Sequence, residues 1–267
     1  MQHFKNKYLI AFSFFLLLFF GCKKVIHVSL KNAAPRIVIT GEVTNLPGPY
    51  RVSISSTVNY TAANIFPPVS GALVSITGNG ITDTLTETTS GIYTTHSLKG
   101  VPGSLYSLYV STGGQVYTSS CTMPQPVPLD SIGYSTSIRS NNRINAIAYF
   151  KDPPGRANYY QFIEYNNGIR FQNDRGVTVF DDRLSDGKSI KLTLDDDSTD
   201  INNGDTLTLQ MNCIDEKVYN YLFTLNLITR QNSFQSPTPD NPTSNISNNA
   251  LGYFSANTVQ SKSVFVH

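Results

Sequence analysis

The sequence has little charge and no tryptophan. Only 14% of its 267 residues are Asp, Glu, Lys or Arg, and the formal net charge is +2, whereas about 25% charged residues is usual in soluble proteins. Without a basic or acidic excess the chain has no electrostatic footprint for nucleic acid. Polymerases, nucleases and DNA-binding modules are therefore disfavoured, while a hydrophobic content of 40% is too high for a disordered chain.

The sequence also lacks the short motifs of common hydrolases and metalloenzymes. No G-x-S-x-G, H-E-x-x-H or paired-cysteine motif occurs. Beyond the first twenty-two residues the only histidines are His27, His96 and His267. A Ser-His-Asp set built on His96 stays an alternative, but a solvent-facing strand or loop histidine is favoured. We expect a protein that is not an enzyme and has no cofactor.

The N-terminus contains an export signal. Lys5 and Lys7 precede an apolar stretch over residues 8–20, broken only by a serine, and Gly21-Cys22 follows. The stretch is too short for a spanning helix, which needs about 20 apolar residues.

A small residue followed by cysteine at the end of such a stretch resembles the bacterial lipobox. In that motif the cysteine receives a diacylglycerol and becomes the new N-terminus. We therefore expect residues 1–21 to be a lipoprotein signal peptide, Cys22 to carry the covalent lipid, and residues 22–35 to form a tether. An ordinary signal peptide that happens to contain a cysteine is the alternative.

Two further cysteines, Cys121 and Cys213, remain after this leader. An extracytoplasmic space permits disulfides, so a Cys121–Cys213 bridge is one alternative. We favour the other, in which each is a small buried hydrophobe.

The mature chain repeats short runs of β-branched and aromatic residues separated by Gly, Pro and Asn. Residues 105–112 and 115–122 flank Gly113-Gly114, the strongest hairpin signal in the sequence. About seven such runs between residues 36 and 123 predict an antiparallel β-sandwich of immunoglobulin-like or transthyretin-like type.

Residues 124–128 (Pro-Gln-Pro-Val-Pro) interrupt this pattern and are predicted to be a linker, since proline cannot continue a ladder. Residues 129–267 are predicted to form a second β-rich domain carrying one helix near 215–229. Asp215 is suited to cap that helix, and an apolar stripe recurs at helical spacing through Val218, Tyr221, Leu222, Leu225 and Ile228.

The densest group of oxygen ligands lies between two predicted strands. Asp195, Asp197 and Asp200 are weak calcium candidates, because Ca²⁺ takes six to eight oxygen ligands from such loops. Their spacing does not fit the EF-hand pattern, so an ordinary acidic hairpin is the favoured interpretation.

Tyr160, Asp181 and Arg183 are candidate ligand or partner contacts. Tyr160 belongs to a tyrosine-rich run that could stack on a sugar, although carbohydrate sites favour tryptophan. Asp181 and Arg183 are charged enough to meet a partner. A loop with local ion pairs, each contributing about 0–1 kcal/mol, is the simpler interpretation.

A series of short motifs runs in order along nearly all of residues 22–256. It includes Pro35-Arg36-Ile37-Val38-Ile39-Thr40-Gly41, Asp152-Pro153-Pro154-Gly155, Phe180-Asp181-Asp182-Arg183-Leu184-Ser185-Asp186-Gly187 and Leu251-Gly252-Tyr253-Phe254. In order and spacing this series resembles domain-of-unknown-function family 4249, lipoproteins common in Bacteroidota. The resemblance implies an outer-membrane lipoprotein, often encoded beside a TonB-dependent receptor, and it transfers no catalytic residues.

These observations predict a non-enzymatic outer-membrane lipoprotein, a binding or assembly accessory with a TonB-dependent nutrient transporter as partner. A surface adhesin or structural module is the first alternative, and an extracytoplasmic glycan-active hydrolase the second. Lys23 and Lys24 stand where surface-exported relatives often carry acids, so the periplasmic and cell-surface faces stay open.

Overall fold

Strands dominate the structure, a computed structural model that describes residues 34–59, 62–63, 65–137, 143–171, 178–194, 201–230 and 241–267. The described strands are β1 (Ile37–Thr44), β2 (Arg51–Ser56), β3 (Leu73–Gly78), β4 (Ile81–Thr84), β5 (Thr86–Thr89), β6 (Ile92–Thr94), β7 (Leu105–Thr112), β8 (Gln115–Thr122), β9 (Leu129–Ser137), β10 (Arg143–Lys151), β11 (Tyr159–Asn166), β12 (Ile169–Arg170), β13 (Thr178–Asp181), β14 (Ser189–Thr193), β15 (Thr206–Ile214) and β16 (Leu251–Phe265). One helix, α1 (Glu216–Arg230), completes the described elements. The predicted mainly β class with a single helix is confirmed.

Alternating side chains explain why the N-terminal strands pair as a sandwich. In β7, Tyr106, Leu108 and Val110 are buried while the residues between them face outward. A four-stranded sheet in the order β4-β3-β7-β8 supplies one layer, and β1, β2, β6 and β5 supply the other. One core cluster contains residues of both layers, which confirms the predicted sandwich.

The β7–β8 hairpin forms at the predicted place. Thr112 pairs with Gln115 across Gly113 and Gly114, whose φ angles are +59° and +73°. A two-residue turn with both φ angles positive matches the twist of the flanking strands, and glycine adopts it at little cost.

The second layer continues beyond the N-terminal half into a nine-stranded sheet. Its order is β12-β11-β15-β16-β1-β2-β6-β5, with β13 also pairing β11. The first half of β16 runs parallel to β1, from Val38↔Leu251 to Thr44↔Asn257. The second half pairs antiparallel with β15, from Cys213↔Thr258 to Thr206↔Phe265. One long strand therefore joins the two halves of the chain.

A second core cluster lies between β11, β15 and a three-stranded sheet in the order β14-β10-β9. Phe150, Phe162, Leu207 and Met211 are among its buried residues. Aromatic rings fill its centre, with the centroids of Phe150 and Tyr160 5.0 Å apart.

Residues 124–128, predicted to be a linker, are free of strand. Val127 within this segment is fully buried, and Pro35–His267 cluster as one compact unit. The reason is the β1–β16 pairing, which joins residues more than 200 positions apart and leaves no local sequence signal.

Helix α1 begins where the sequence predicts. The Asp215 carboxylate accepts the Lys217 N–H at 2.9 Å, which satisfies one free donor of the first turn. Val218, Tyr219 and Leu222 are buried in the first core, whereas Ile228, predicted on the same stripe, is 36% exposed. Among the described residues, no helix is long and apolar enough to cross a membrane.

Candidate functional site

Tyr160 is not a surface contact, and that prediction is corrected. Its side chain is fully buried in the second core, and its hydroxyl donates to Asp152. Strand β11 is covered on both faces, so Tyr159 packs against the first core while Tyr160 faces the second. A sugar platform on this run would need exposed rings, and Tyr160 supplies none.

Asp181 and Arg183 form a local ion pair. Arg183 Nη2 lies 2.8 Å from Asp181 Oδ2, and the arginine side chain is 74% exposed. Burial alone would raise the pKa of Asp181, but hydrogen bonds from Arg183 and from the Tyr219 hydroxyl outweigh it and lower that pKa. The arrangement matches the simpler interpretation of the loop, and a partner contact here stays a prediction.

The two described cysteines are not bridged, so the disulfide alternative is corrected. Cys121 and Cys213 are both free and buried, each in a different core cluster. Burial raises the pKa of Cys121 to about 12, which keeps the thiol protonated and unreactive. Both behave as the small buried hydrophobes that the sequence favours.

The lipidation site Cys22 and the calcium candidates Asp195, Asp197 and Asp200 lie outside the described residues, and both predictions stand as such. Their neighbour Asp205 is described. It accepts hydrogen bonds from the Asn202 N–H and from the side chains of Asn166 and Asn167.

His96 takes part in a local hydrogen-bond chain. Its Nδ1 lies 3.2 Å from Asp83 Oδ1 and its Nε2 lies 2.9 Å from Thr86 Oγ1. The order acid, imidazole, hydroxyl is that of a catalytic triad, but the His96 side chain is 57% exposed and Thr86 lies on an open strand. The chain of contacts ties β4, β5 and the loop after β6 together.

A carboxylate cluster that sequence reasoning missed lies beside the second core. Oxygens of Asp152, Asp182 and Asp186 all lie within 4.8 Å of one another, and the first two residues are buried. The Gly187 N–H donates to Asp152 and the Gly155 N–H donates to Asp186. Hard cations such as Ca²⁺ prefer carboxylate oxygens, so these three residues could hold one.

The cluster escaped prediction because its members come from separate segments. Asp152 follows β10, whereas Asp182 and Asp186 follow β13, about thirty positions later. Both segments were recognised as motifs, but nothing in their spacing shows that the chain brings them together.

Burial raises the pKa of Asp182, and the neighbouring Asp152 and Asp186 carboxylates raise it further. The folded chain therefore binds the Asp182 proton more tightly than the unfolded chain does. Protonation of Asp182 thus contributes most to the stability of the fold at low pH. The contribution is lost as the pH rises through the folded pKa.

Asp182→Asn is expected to raise the free energy of unfolding at neutral pH by about 1–3 kcal/mol, because one of three adjacent like charges is removed. In the unchanged protein the backbone N–H of Asn158 donates to Asp182 Oδ2 at 2.8 Å, and the side-chain amide oxygen of the variant can still accept this hydrogen bond. Urea denaturation at neutral and acidic pH measures the effect, which should vanish in acid. The control is Asp181→Asn, which should destabilise because the pKa of Asp181 is lowered. A destabilised Asp182→Asn protein would contradict the prediction.

A groove lies over the outer face of the four-stranded sheet. It has a volume of about 830 Å³, and its lining comes from β3, β7, β8, the start of α1 and residues 243–247. One feature of the sequence indicates this surface, because β3, β4, β7 and β8 contain only one charged residue, Asp83. In the structure Asp83 is buried. The outer face of this sheet is therefore free of charge.

Exposed apolar side chains lie on the same face. Leu73, Leu105, Tyr109 and Val116 are between 37% and 57% exposed, and they alternate with buried core residues along β3, β7 and β8. Aromatic and aliphatic residues with few charges are typical of the centre of a protein interface.

Taken together, the fold and this surface define a β-sandwich protein with an uncharged, partly apolar sheet face. The sequence model of one family, "Domain of unknown function (DUF4249)", matches residues 23–263. The chain belongs to this family. A search of curated proteins found no match.

Proposed function

We propose that the chain is a non-enzymatic, lipid-anchored outer-membrane protein that acts as a binding or assembly accessory, with a TonB-dependent transporter as its partner. The observation that carries the proposal is the leader. The basic and apolar segments end at Gly21-Cys22, and the family match begins at the next residue. The part of the chain that belongs to the family therefore begins directly after the residue that would carry the lipid.

A lipid on Cys22 would keep the body at a membrane without a spanning helix. Each buried methylene contributes about 0.8 kcal/mol, so several acyl chains together hold a protein on a bilayer. Protease treatment of intact cells distinguishes the two sides of the membrane, because only a protein on the cell surface is digested.

Cys22→Ala is expected to move nearly all of the protein from the detergent phase to the aqueous phase in a detergent partition of cell lysates. The reason is that the variant has no thiol to receive the diacylglycerol. Cys121→Ala is the matched control, since Cys121 is buried in the core and should not carry lipid. If Cys22→Ala and the unchanged protein partition equally, the proposal that a lipid on Cys22 anchors the protein is wrong.

Binding rather than catalysis is supported by the chemistry of the exposed sheet face. The lining of the groove contains no carboxylate or histidine, so its serine and threonine hydroxyls lack the acid and imidazole partners of a catalytic triad. A charge-free face with exposed Leu73, Leu105 and Val116 fits a large, uncharged protein contact.

Val116→Lys is expected to reduce recovery of a β-barrel partner at least tenfold when the tagged full chain is purified from native membranes in mild detergent. A lysine there would place an unpaired charge in the proposed interface. Ile169→Lys is the control, because Ile169 is 74% exposed and lies at the far edge of the nine-stranded sheet. If the unchanged protein recovers no β-barrel partner, the result counts against the accessory role and favours the adhesin or structural alternative.

A further inference from the structure

The groove over β7 and β8 has a lining of unusual chemistry. Eight of its fourteen residues are serine or threonine, two are asparagine, and its only charged residue is Lys217. Its volume of about 830 Å³ falls within the roughly 300–1,000 Å³ of small-molecule sites.

The walls of the groove are fixed by hydrogen bonds to backbone. Thr118 exchanges two bonds with Ser247, since its N–H donates to the Ser247 hydroxyl and its carbonyl accepts the Ser247 N–H, both at 2.8 Å. The Asn245 amide donates to the Phe254 carbonyl at 2.7 Å and accepts the Phe254 N–H at 2.9 Å. Ser247, 129 positions after Thr118, is thereby tied to the sheet, so the groove exists without a ligand.

Other side chains in the same groove are not engaged. Within the described part of the chain, no hydrogen bond or ion pair is formed by the side chains of Ser107, Tyr109, Ser120, Lys217 or Asn220. Hydroxyl and amide groups both donate and accept hydrogen bonds. A ligand meets these groups on a frame that is already ordered, which lowers the entropy cost of binding.

The composition of the lining selects the ligand class. A metal ion would need carboxylate, imidazole or thiolate ligands, and an anionic polymer would need several cations. A ligand rich in hydroxyls matches the row of hydroxyl and amide groups. The Tyr109 ring, 37% exposed on the floor, offers an apolar face to a sugar ring.

We propose that this groove binds a neutral saccharide, with Tyr109 packing on a sugar ring and Ser107, Ser120 and Asn220 hydrogen bonding to its hydroxyls. The proposal names a ligand for the binding role proposed above and rests on that role. It needs neither the lipid nor the transporter, so the two can fail separately.

The test is binding of the purified full chain in detergent to an array of neutral glycans, followed by calorimetry with the trisaccharide that binds best. Tyr109→Ala is expected to weaken that binding at least tenfold, and Tyr109→Phe to keep it within about threefold, because stacking needs the ring and not the hydroxyl. Asn220→Ala tests a hydrogen-bonding position on the opposite wall and should also weaken binding.

Ile169→Ala is the control, since Ile169 is 74% exposed and lies outside the groove lining, at the far edge of the nine-stranded sheet. It should leave saccharide binding unchanged. The proposal is overturned if the protein retains no neutral glycan on the array, or if Tyr109→Ala binds as well as the unchanged protein. It is also overturned if the protein retains acidic glycans alone and Lys217→Gln loses that binding. Loss of saccharide binding with intact recovery of a β-barrel partner would refute the ligand and leave the accessory role standing.

Discussion

Gly252→Ala is expected to lower the free energy of unfolding by about 3–5 kcal/mol, measured by urea denaturation. Gly252 has a φ of +89°, and a Cβ built there would lie 2.0 Å from the Ile39 carbonyl oxygen. Ile39 is its partner in the parallel β1–β16 pair. The backbone of one strand or the other must move, and the register that joins the two halves of the chain is disturbed.

Gly204→Ala separates the two causes of this loss. Gly204 has a φ of +96°, but a Cβ built there would meet nothing within 4 Å. Its substitution should therefore cost only the backbone strain, about 1–2 kcal/mol. Equal losses in both variants would show that close approach of β1 to β16 is not what requires glycine at position 252.

The continuity of β16 has a further consequence for unfolding. The first half of the strand contributes Phe254 and Ala256 to the first core, and Val266 immediately after it belongs to the second core. Because both cores share one strand, we expect them to unfold together, and a Gly252→Ala protein should lose near-ultraviolet signals from both at one midpoint.

Local features of this fold could be predicted from the sequence. The Gly113-Gly114 hairpin and the Asp215 cap are each set by residues a few positions apart, and both occur where expected. Local steric and hydrogen-bonding rules suffice for such elements.

Pairings between distant segments could not be predicted. The β1–β16 pair leaves no local trace in either strand, because the paired residues are more than 200 positions apart. The same holds for the carboxylate cluster of Asp152, Asp182 and Asp186, and for the groove, whose walls come from four separate parts of the chain. The burial of Tyr160 could not be predicted either, because a tyrosine in a strand gives no indication of how many layers cover that strand.

Asp83→Ala is expected to destabilise the protein by about 4 kcal/mol, measured by urea denaturation at neutral pH. Asp83 is 4% exposed, and its Oδ2 accepts the N–H groups of His96, Ser97 and Leu98 at 2.9, 2.7 and 2.9 Å. Removing the carboxylate leaves these donors without a partner, at a cost of about 1–3 kcal/mol for each one that water does not reach.

The pH dependence of this loss identifies its source. Burial alone would raise the pKa of Asp83, but the three backbone N–H groups outweigh it and lower the pKa to about 2, from 3.8. The pH-dependent part of this stabilisation is therefore complete above about pH 4 and is lost as the pH falls through 2. The difference in stability between the unchanged protein and Asp83→Ala should narrow over that interval. Glu87→Ala is the control: its carboxylate also accepts two backbone N–H groups, from Gly71 and Gly91, but on the open surface. Water can replace those bonds, so its loss should be much smaller. A comparable loss in both variants would mean that burial of the Asp83 donors contributes nothing beyond the hydrogen bonds themselves.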